Sequence, residues 1–193
     1  MIRDELLDLF RRSGGLLEGH FRLTSGLHSS GYLQCALVLQ HPKHAVALGR
    51  AIADRTRDLR PSVVLSPALG GVVIGHEVAR ALGARALFAE RHDGGLTLRR
   101  GFVIGETDRV LVVEDVLTTG GSTRETMQVA KAAGGQVVGA AAIVDRSGRA
   151  GVRFDVPFAA LLDVDLPTYE PGACPLCAQG LPVMKPGSRP VAT

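Results

Sequence analysis

The spacing of apolar positions changes several times along the chain. Ile2, Leu6, Leu7, Leu9 and Phe10 recur at helical intervals, and Ser13-Gly14-Gly15 ends the helix they predict. Leu16 to Leu23 and Tyr32 to Val38 read as extended segments on either side of a turn at Ser25-Gly26. From Pro42, suited to a first helical position, Ala45, Leu48, Ile52 and Leu59 predict a helix that ends near Arg60-Pro61. Short unbroken apolar runs follow at Val63 to Leu65, Arg85 to Ala89, Val110 to Val113, Val137 to Val144 and Phe158 to Leu162. Helical stretches separate them, one closing at Leu82-Gly83 and one running from Thr123 to Ala133. Runs of this kind, without polar alternation and rich in β-branched residues, belong to strands buried on both faces of a parallel sheet. Strands and helices alternating from 42 to 163 predict a doubly wound α/β core, whose ligands lie outside the carboxyl ends of the strands.

Two stretches break the alternation. Glu90 to Asp108 is polar and holds Gly94, Gly95, Gly101 and Gly105 together with Arg91, Arg99 and Arg100. It reads either as a mobile lid or as an exposed hairpin with Leu96 to Leu98 as one strand, and both can hold. The tail from Leu166 carries Pro167, Pro171, Pro175, Pro182, Pro186 and Pro190, which argues against helix and central strand. At 193 residues the chain reads as one domain: an N-terminal segment over 1–41, the α/β core over 42–165 and the tail over 166–193.

Composition narrows the function classes. Apolar residues are 46% of the chain, too many for a disordered protein. The net charge is +3 and three lysines stand against nineteen arginines, whose forks suit phosphate and carboxylate ligands or a nucleic-acid surface. No basic run exceeds two residues and aromatics are only 4%, so a stacking platform for single strands, and nucleic acid as a partner, are poorly supported. No apolar run reaches membrane-spanning length, no N-terminal stretch reads as a signal peptide, and three cysteines give no even disulfide framework; a cytoplasmic protein is expected. Cys174-Pro-Leu-Cys177 has zinc-knuckle spacing, but no second Cys or His pair follows it, since the last histidine is His92. Packing thiols, or a half-site shared between subunits, stay open.

The chemistry concentrates after Val113. Glu114 and Asp115 end the central strand, Val116 and Leu117 lead on, and Thr118-Thr119-Gly120-Gly121-Ser122 open a helix. A helix N-terminus with hydroxyls and free N–H groups holds an anion such as a phosphate. Two acids beside it would repel that anion unless they bind ribose hydroxyls or a hard divalent cation. A capped turn without ligand is the alternative. No Gly-Lys-Ser/Thr follows, which excludes a Walker loop, and Pro67 and Ala68 stand where a dinucleotide-binding turn needs glycines.

Val112 to Ser122 resembles the phosphoribosyl diphosphate (PRPP) signature of type I phosphoribosyltransferases. Leu17-Glu18-Gly19-His20-Phe21-Arg22-Leu23-Thr24-Ser25-Gly26, with His28-Ser29 and Tyr32 after it, is similar to the N-terminal region of the orotate phosphoribosyltransferases. Asp145-Arg146 matches the family position of the arginine that receives orotate, and the closing Cys-Pro-Leu-Cys and Lys185 to Arg189 look like one bacterial branch. The resemblance implies a type I phosphoribosyltransferase fold: a central, mostly parallel sheet flanked by helices, a small N-terminal hood and an irregular Pro-rich tail.

It also implies the reaction orotate + PRPP ⇌ orotidine 5′-monophosphate + diphosphate, in pyrimidine (UMP) biosynthesis. Glu114, Asp115, Val116, Leu117, Thr118, Thr119, Gly120, Gly121 and Ser122 would bind PRPP, and Ala68, Leu69, Gly70 and Gly71 would offer N–H groups to diphosphate. Tyr32, Thr118 and Arg146 would receive orotate. Mg²⁺ is the implied cofactor, held mainly by PRPP oxygens rather than by protein ligands, and a homodimer with shared sites is the implied assembly. Many relatives carry lysines where this chain has Thr24 and Gly70, and lysines in the mobile loop; here Arg91, His92, Arg99 and Arg100 are the loop's cations and the implied catalytic groups with Asp115. A purine or xanthine phosphoribosyltransferase would share the signature without a use for Arg146, and a PRPP-sensing regulator that binds nucleic acid is the reading from another class.

Overall fold

A computed structural model describes residues 3–23, 25–148 and 151–185. Ile2, Thr24 and the closing motif beyond Lys185 lie outside them. The chain runs α1 (Arg3–Arg12), β1 (Leu16–Arg22), β2 (His28–Leu33), α2 (Cys35–Leu39), α3 (Pro42–Thr56), β3 (Val63–Pro67), α4 (Gly70–Leu82), β4 (Arg85–His92), β5 (Gly95–Leu98), β6 (Arg109–Leu117), α5 (Gly121–Ala132), β7 (Gln136–Asp145), β8 (Phe158–Asp163), β9 (Thr168–Tyr169) and α6 (Pro175–Ala178).

Six strands form the central sheet in the order β5-β4-β3-β6-β7-β8, all parallel except β5. Successive side chains leave opposite faces of a strand, and here both faces are apolar. Val64, Leu111, Val113 and Ile143 pack with Leu48, Ile52, Ile74 and Val78 of α3 and α4 on one side. Val63, Leu65, Val110 and Val112 pack with Met127 and Ala130 of α5, Leu96 of β5 and Ile104 on the other. The continuous apolar runs of the sequence thus mark a sheet sandwiched between helices, as expected. The polar stretch after β4 takes the hairpin form, with Ala89 opposite Leu98 and His92 opposite Gly95.

The terminal segments build a second, antiparallel sheet of β1, β2 and β9. The extended reading of Tyr32 to Val38 needs correction. β2 ends at Leu33, and Cys35, Val38 and Leu39 face the core from the short helix α2, at i, i+3 and i+4. Seven residues were too few to separate that spacing from a buried strand. The tail is largely irregular, apart from the two-residue β9 and the single turn α6, which starts on Pro175 where proline is tolerated. Among the described residues no helix is long and apolar enough to cross a membrane.

Candidate active site

The acidic pair reaches the carboxyl edge of the sheet at the end of β6. Glu114 is buried and accepts from Ser122 Oγ at 2.5 Å and from Thr123 Oγ1, which ties the first turn of α5 back to the strand. The Ser122 hydroxyl proton is spent on this bond, so its backbone N–H is what it can still offer an anion. Burial pushes the Glu114 carboxyl above its usual pKa, with the two hydroxyl bonds offsetting part of the rise. Asp115 is also raised by burial, against the pull of its own N–H and that of Val116. Among the described residues no Lys or Arg forms an ion pair with either acid.

Thr118, Thr119 and Gly120 turn the chain from β6 into α5. Gly120 sits at φ 74°, and a Cβ there would meet Val152 Cγ1 at 2.7 Å, so the turn needs glycine twice over. No side chain caps α5, leaving its first-turn N–H groups for a ligand. The loop between β3 and α4 approaches from the neighbouring strand, with a cis Ala68–Leu69 bond. A Cβ on Gly70 would stand 2.7 Å from Asp115 Oδ1, so the absence of a side chain lets backbone reach the carboxylate. Pro67, Ala68, Gly70, Gly71, Glu114, Asp115, Ser122 and Arg91 line one cleft of about 110 Å³.

A second, larger cleft of about 660 Å³ lies beside it, lined by Tyr32, Thr118, Thr119 and Arg146 among others. Arg146 follows directly on β7, where its N–H bonds to the Leu117 carbonyl at 2.8 Å. Its neighbour Asp145 accepts the Ser147 N–H at 2.7 Å and makes no ion pair with Arg146. The side chain is half-buried, which lowers the pKa of the guanidinium, and its Nε is fully shielded without a hydrogen-bond partner. A half-buried guanidinium without an acidic partner is costly, and an anion in the cleft would offset that cost. Thr118 and Thr119 lie on the turn after the acids and line the second cleft together with Arg146.

The hairpin cations are not gathered together. Arg91 lines the first cleft and pairs with Glu125 at 2.9 Å. Arg100 makes two bonds to Glu90, at 2.7 and 2.9 Å, His92 lies 3.0 Å from Asp93, and Arg99 is exposed. None of these three is on the cleft's wall. Leu166, Pro167 and Thr168 do line the second cleft, although nothing in the sequence marked them; the only cue was their place just beyond the last core strand.

Residues 36–158 match the family model described as the phosphoribosyl transferase domain. Over 191 residues the chain is 54% identical to the orotate phosphoribosyltransferase of Pelotomaculum thermopropionicum, covering 99% of this chain and all of that one. The chain belongs to the orotate phosphoribosyltransferases. Among solved structures, the orotate phosphoribosyltransferase of Mycobacterium tuberculosis, in complex with Fe(III) dicitrate, superposes with a TM-score of 0.72 at 29% identity over 83% of this chain and 95% of that one. The same enzyme in complex with PRPP gives a TM-score of 0.66 at 28% identity, over the same shares of the two chains. Family membership thus agrees with the sheet order and with the resemblance carried by the signature.

Proposed function

We infer that this chain transfers the 5-phosphoribosyl group from PRPP to orotate, giving orotidine 5′-monophosphate and diphosphate in pyrimidine biosynthesis. The observation that carries the acceptor is Arg146, a half-buried cation that forms no ion pair among the described residues and lines the cleft next to the signature turn. Its fork suits the carboxylate of a planar pyrimidine, with Tyr32 and Thr118 flanking the ring. A purine would leave that guanidinium without its anion.

The first turn of α5 binds the 5-phosphate, and Asp115 and the free lone pairs of Glu114 accept from the ribose hydroxyls. N–H groups of residues 69–71, with Arg91, face the diphosphate; the Ala68 N–H, expected to join them, is instead donated to the Ala89 carbonyl at 2.8 Å. As the C1–O bond to diphosphate breaks and the C1–N bond to orotate forms, negative charge grows on the leaving group, and fixed donors there lower the barrier. Asp115, a half-buried carboxylate with no cation partner among the described residues and beside a backbone that Gly70 leaves open, fits Mg²⁺ as a hard oxygen donor. Mg²⁺ bound with the diphosphate would neutralise part of that charge.

Three hairpin cations lie off their own chain's cleft, which supports a homodimer in which His92, Arg99 and Arg100 serve the partner's site. Mixing Arg146→Ala with a variant lacking all three cations then restores turnover, because one site of the mixed dimer is intact; no recovery would rule out sharing. A cytoplasmic location is supported by three cysteines without a disulfide, and cell fractionation tests it.

Loss of orotate absorbance with PRPP and Mg²⁺, run beside hypoxanthine, guanine, xanthine, adenine and uracil, tests the reaction. Turnover confined to orotate and abolished by EDTA is expected. Turnover of a purine would discard the acceptor, and none with any base would leave a PRPP-binding regulator.

A further inference from the structure

The hood and the tail meet at a cluster that the transfer reaction does not use. His20 lies on β1, His28 opens β2, Cys174 precedes α6 and Cys177 lies within it. One ligand atom from each falls within 4.8 Å of all the others. His20, His28 and Cys174 are 3%, 7% and 4% exposed, so three polar groups are buried together with no ion pair to explain them. The sequence offers the Cys-x-x-Cys half of a metal site; the half that seemed missing precedes it by about 150 residues rather than following it.

The spacing is that of ligands around one ion. Zinc with nitrogens at about 2.0–2.1 Å and sulfurs at about 2.3 Å sets tetrahedral ligand atoms roughly 3.3–3.8 Å apart. Here Cys177 Sγ lies 3.3 Å from His28 Nδ1 and 3.7 Å from His20 Nε2, and Cys174 Sγ lies 3.5 Å from His20 Nε2. His20 Nε2 and His28 Nδ1 are 2.8 Å apart, a hydrogen-bond distance that must widen by about half an ångström to take an ion. The other nitrogen of His20, Nδ1, lies 2.8 Å from the Leu181 carbonyl. Donating to that carbonyl fixes the tautomer and turns the Nε2 lone pair into the cluster, the outer partner that metal-bound histidines usually have.

We propose that His20, His28, Cys174 and Cys177 hold a structural zinc ion that fastens the C-terminal tail to the N-terminal hood. Two thiolates and two imidazoles favour zinc over the hard, oxygen-seeking Mg²⁺ of the transfer site, and four protein ligands close the sphere to substrate. The backbone supports the clasp on either side: Met184 N–H donates to the His20 carbonyl and Arg22 N–H to the Met184 carbonyl, both at 2.8 Å. Tyr32 sits on the β2 strand that His28 begins, and Leu166 to Thr168 lead into β9, which pairs with it. The ion would thus hold in place the two walls that face Arg146. This inference does not depend on which base is the acceptor.

Metal analysis of the untagged protein, purified without chelator, tests it. About one zinc per chain is expected, falling below a tenth in Cys174→Ser/Cys177→Ser. Cobalt exchanged into the wild-type protein should show the intense d–d bands of a tetrahedral site and a thiolate charge-transfer band, a readout that needs no variant to fold. Stripping zinc with a chelator should lower Tm by several degrees, and adding zinc back should restore it. Wild-type protein with under a tenth of an equivalent of zinc and no cobalt spectrum would overturn the site, as would a Cys174–Cys177 disulfide in peptide maps.

Discussion

The two clefts at the carboxyl edge of the sheet have no lining residue in common and differ in construction and in charge. The first cleft is built mainly from two continuous strand-turn-helix units, β3–α4 and β6–α5, with Arg91 of β4 and Leu96 of β5 completing its wall, and its shielded charges are acids. The second cleft is assembled from the hood, the signature turn, the end of β7 and the start of the tail, and its half-buried charge is Arg146. Each cleft holds a group that is expensive without its ligand: carboxylates raised by burial in one, a guanidinium lowered by burial in the other. Under the proposed function, sites of opposite sign would let a sugar-phosphate donor and an anionic base bind side by side, each where it is matched.

Charge removal separates the clefts most sharply. Asp115→Asn should reduce turnover by about a thousandfold, roughly 4 kcal/mol of lost stabilisation at the ribose and diphosphate. Arg146→Ala should lower kcat/KM for orotate by about a hundredfold, roughly 3 kcal/mol, while PRPP binding measured by calorimetry changes by less than about twofold. Equal losses of PRPP affinity in both variants would mean that the clefts do not act separately.

Backbone geometry comes next. Gly120→Ala forces a side chain into a left-handed turn and against Val152, so PRPP affinity should fall about tenfold, roughly 1.4 kcal/mol, with the preference for orotate over other bases retained. An unchanged dissociation constant would show that the turn does not shape the phosphate cradle.

The smallest effect is in pH dependence. A carboxyl whose folded pKa is raised destabilises the ligand-free fold once pH passes that value, and does not below the unfolded value near 4. Asp115→Asn should therefore raise Tm at neutral pH, and the gain should shrink as pH falls towards about 4. A lower Tm at neutral pH would mean that the carboxylate is not strained by burial.

The core was legible because its information is local. Each buried strand is an unbroken apolar run, and the acids, turn and helix start of the PRPP cleft lie within nine consecutive residues, 114–122. Arg146 was singled out by its place in the family pattern; by residue type alone it could have been a surface ion pair with Asp145. Leu166 to Thr168 were hidden because their role depends on where β9 docks, a contact between distant segments. The His and Cys pairs were hidden for the same reason, one at each end of the chain. α2 was missed on a smaller scale, where a single helical turn and a short buried strand have the same apolar content.

The preference for orotate over uracil, the same ring without the carboxylate, tests the assignment of Arg146 most directly. The ratio of their kcat/KM values, measured in the wild type and in Arg146→Ala at saturating PRPP, should collapse by about a hundredfold in the variant, because orotate loses its partner and uracil had none. A ratio that stays the same while both rates fall would contradict it, leaving Arg146 as a structural support of the cleft and the orotate carboxylate to be bound elsewhere.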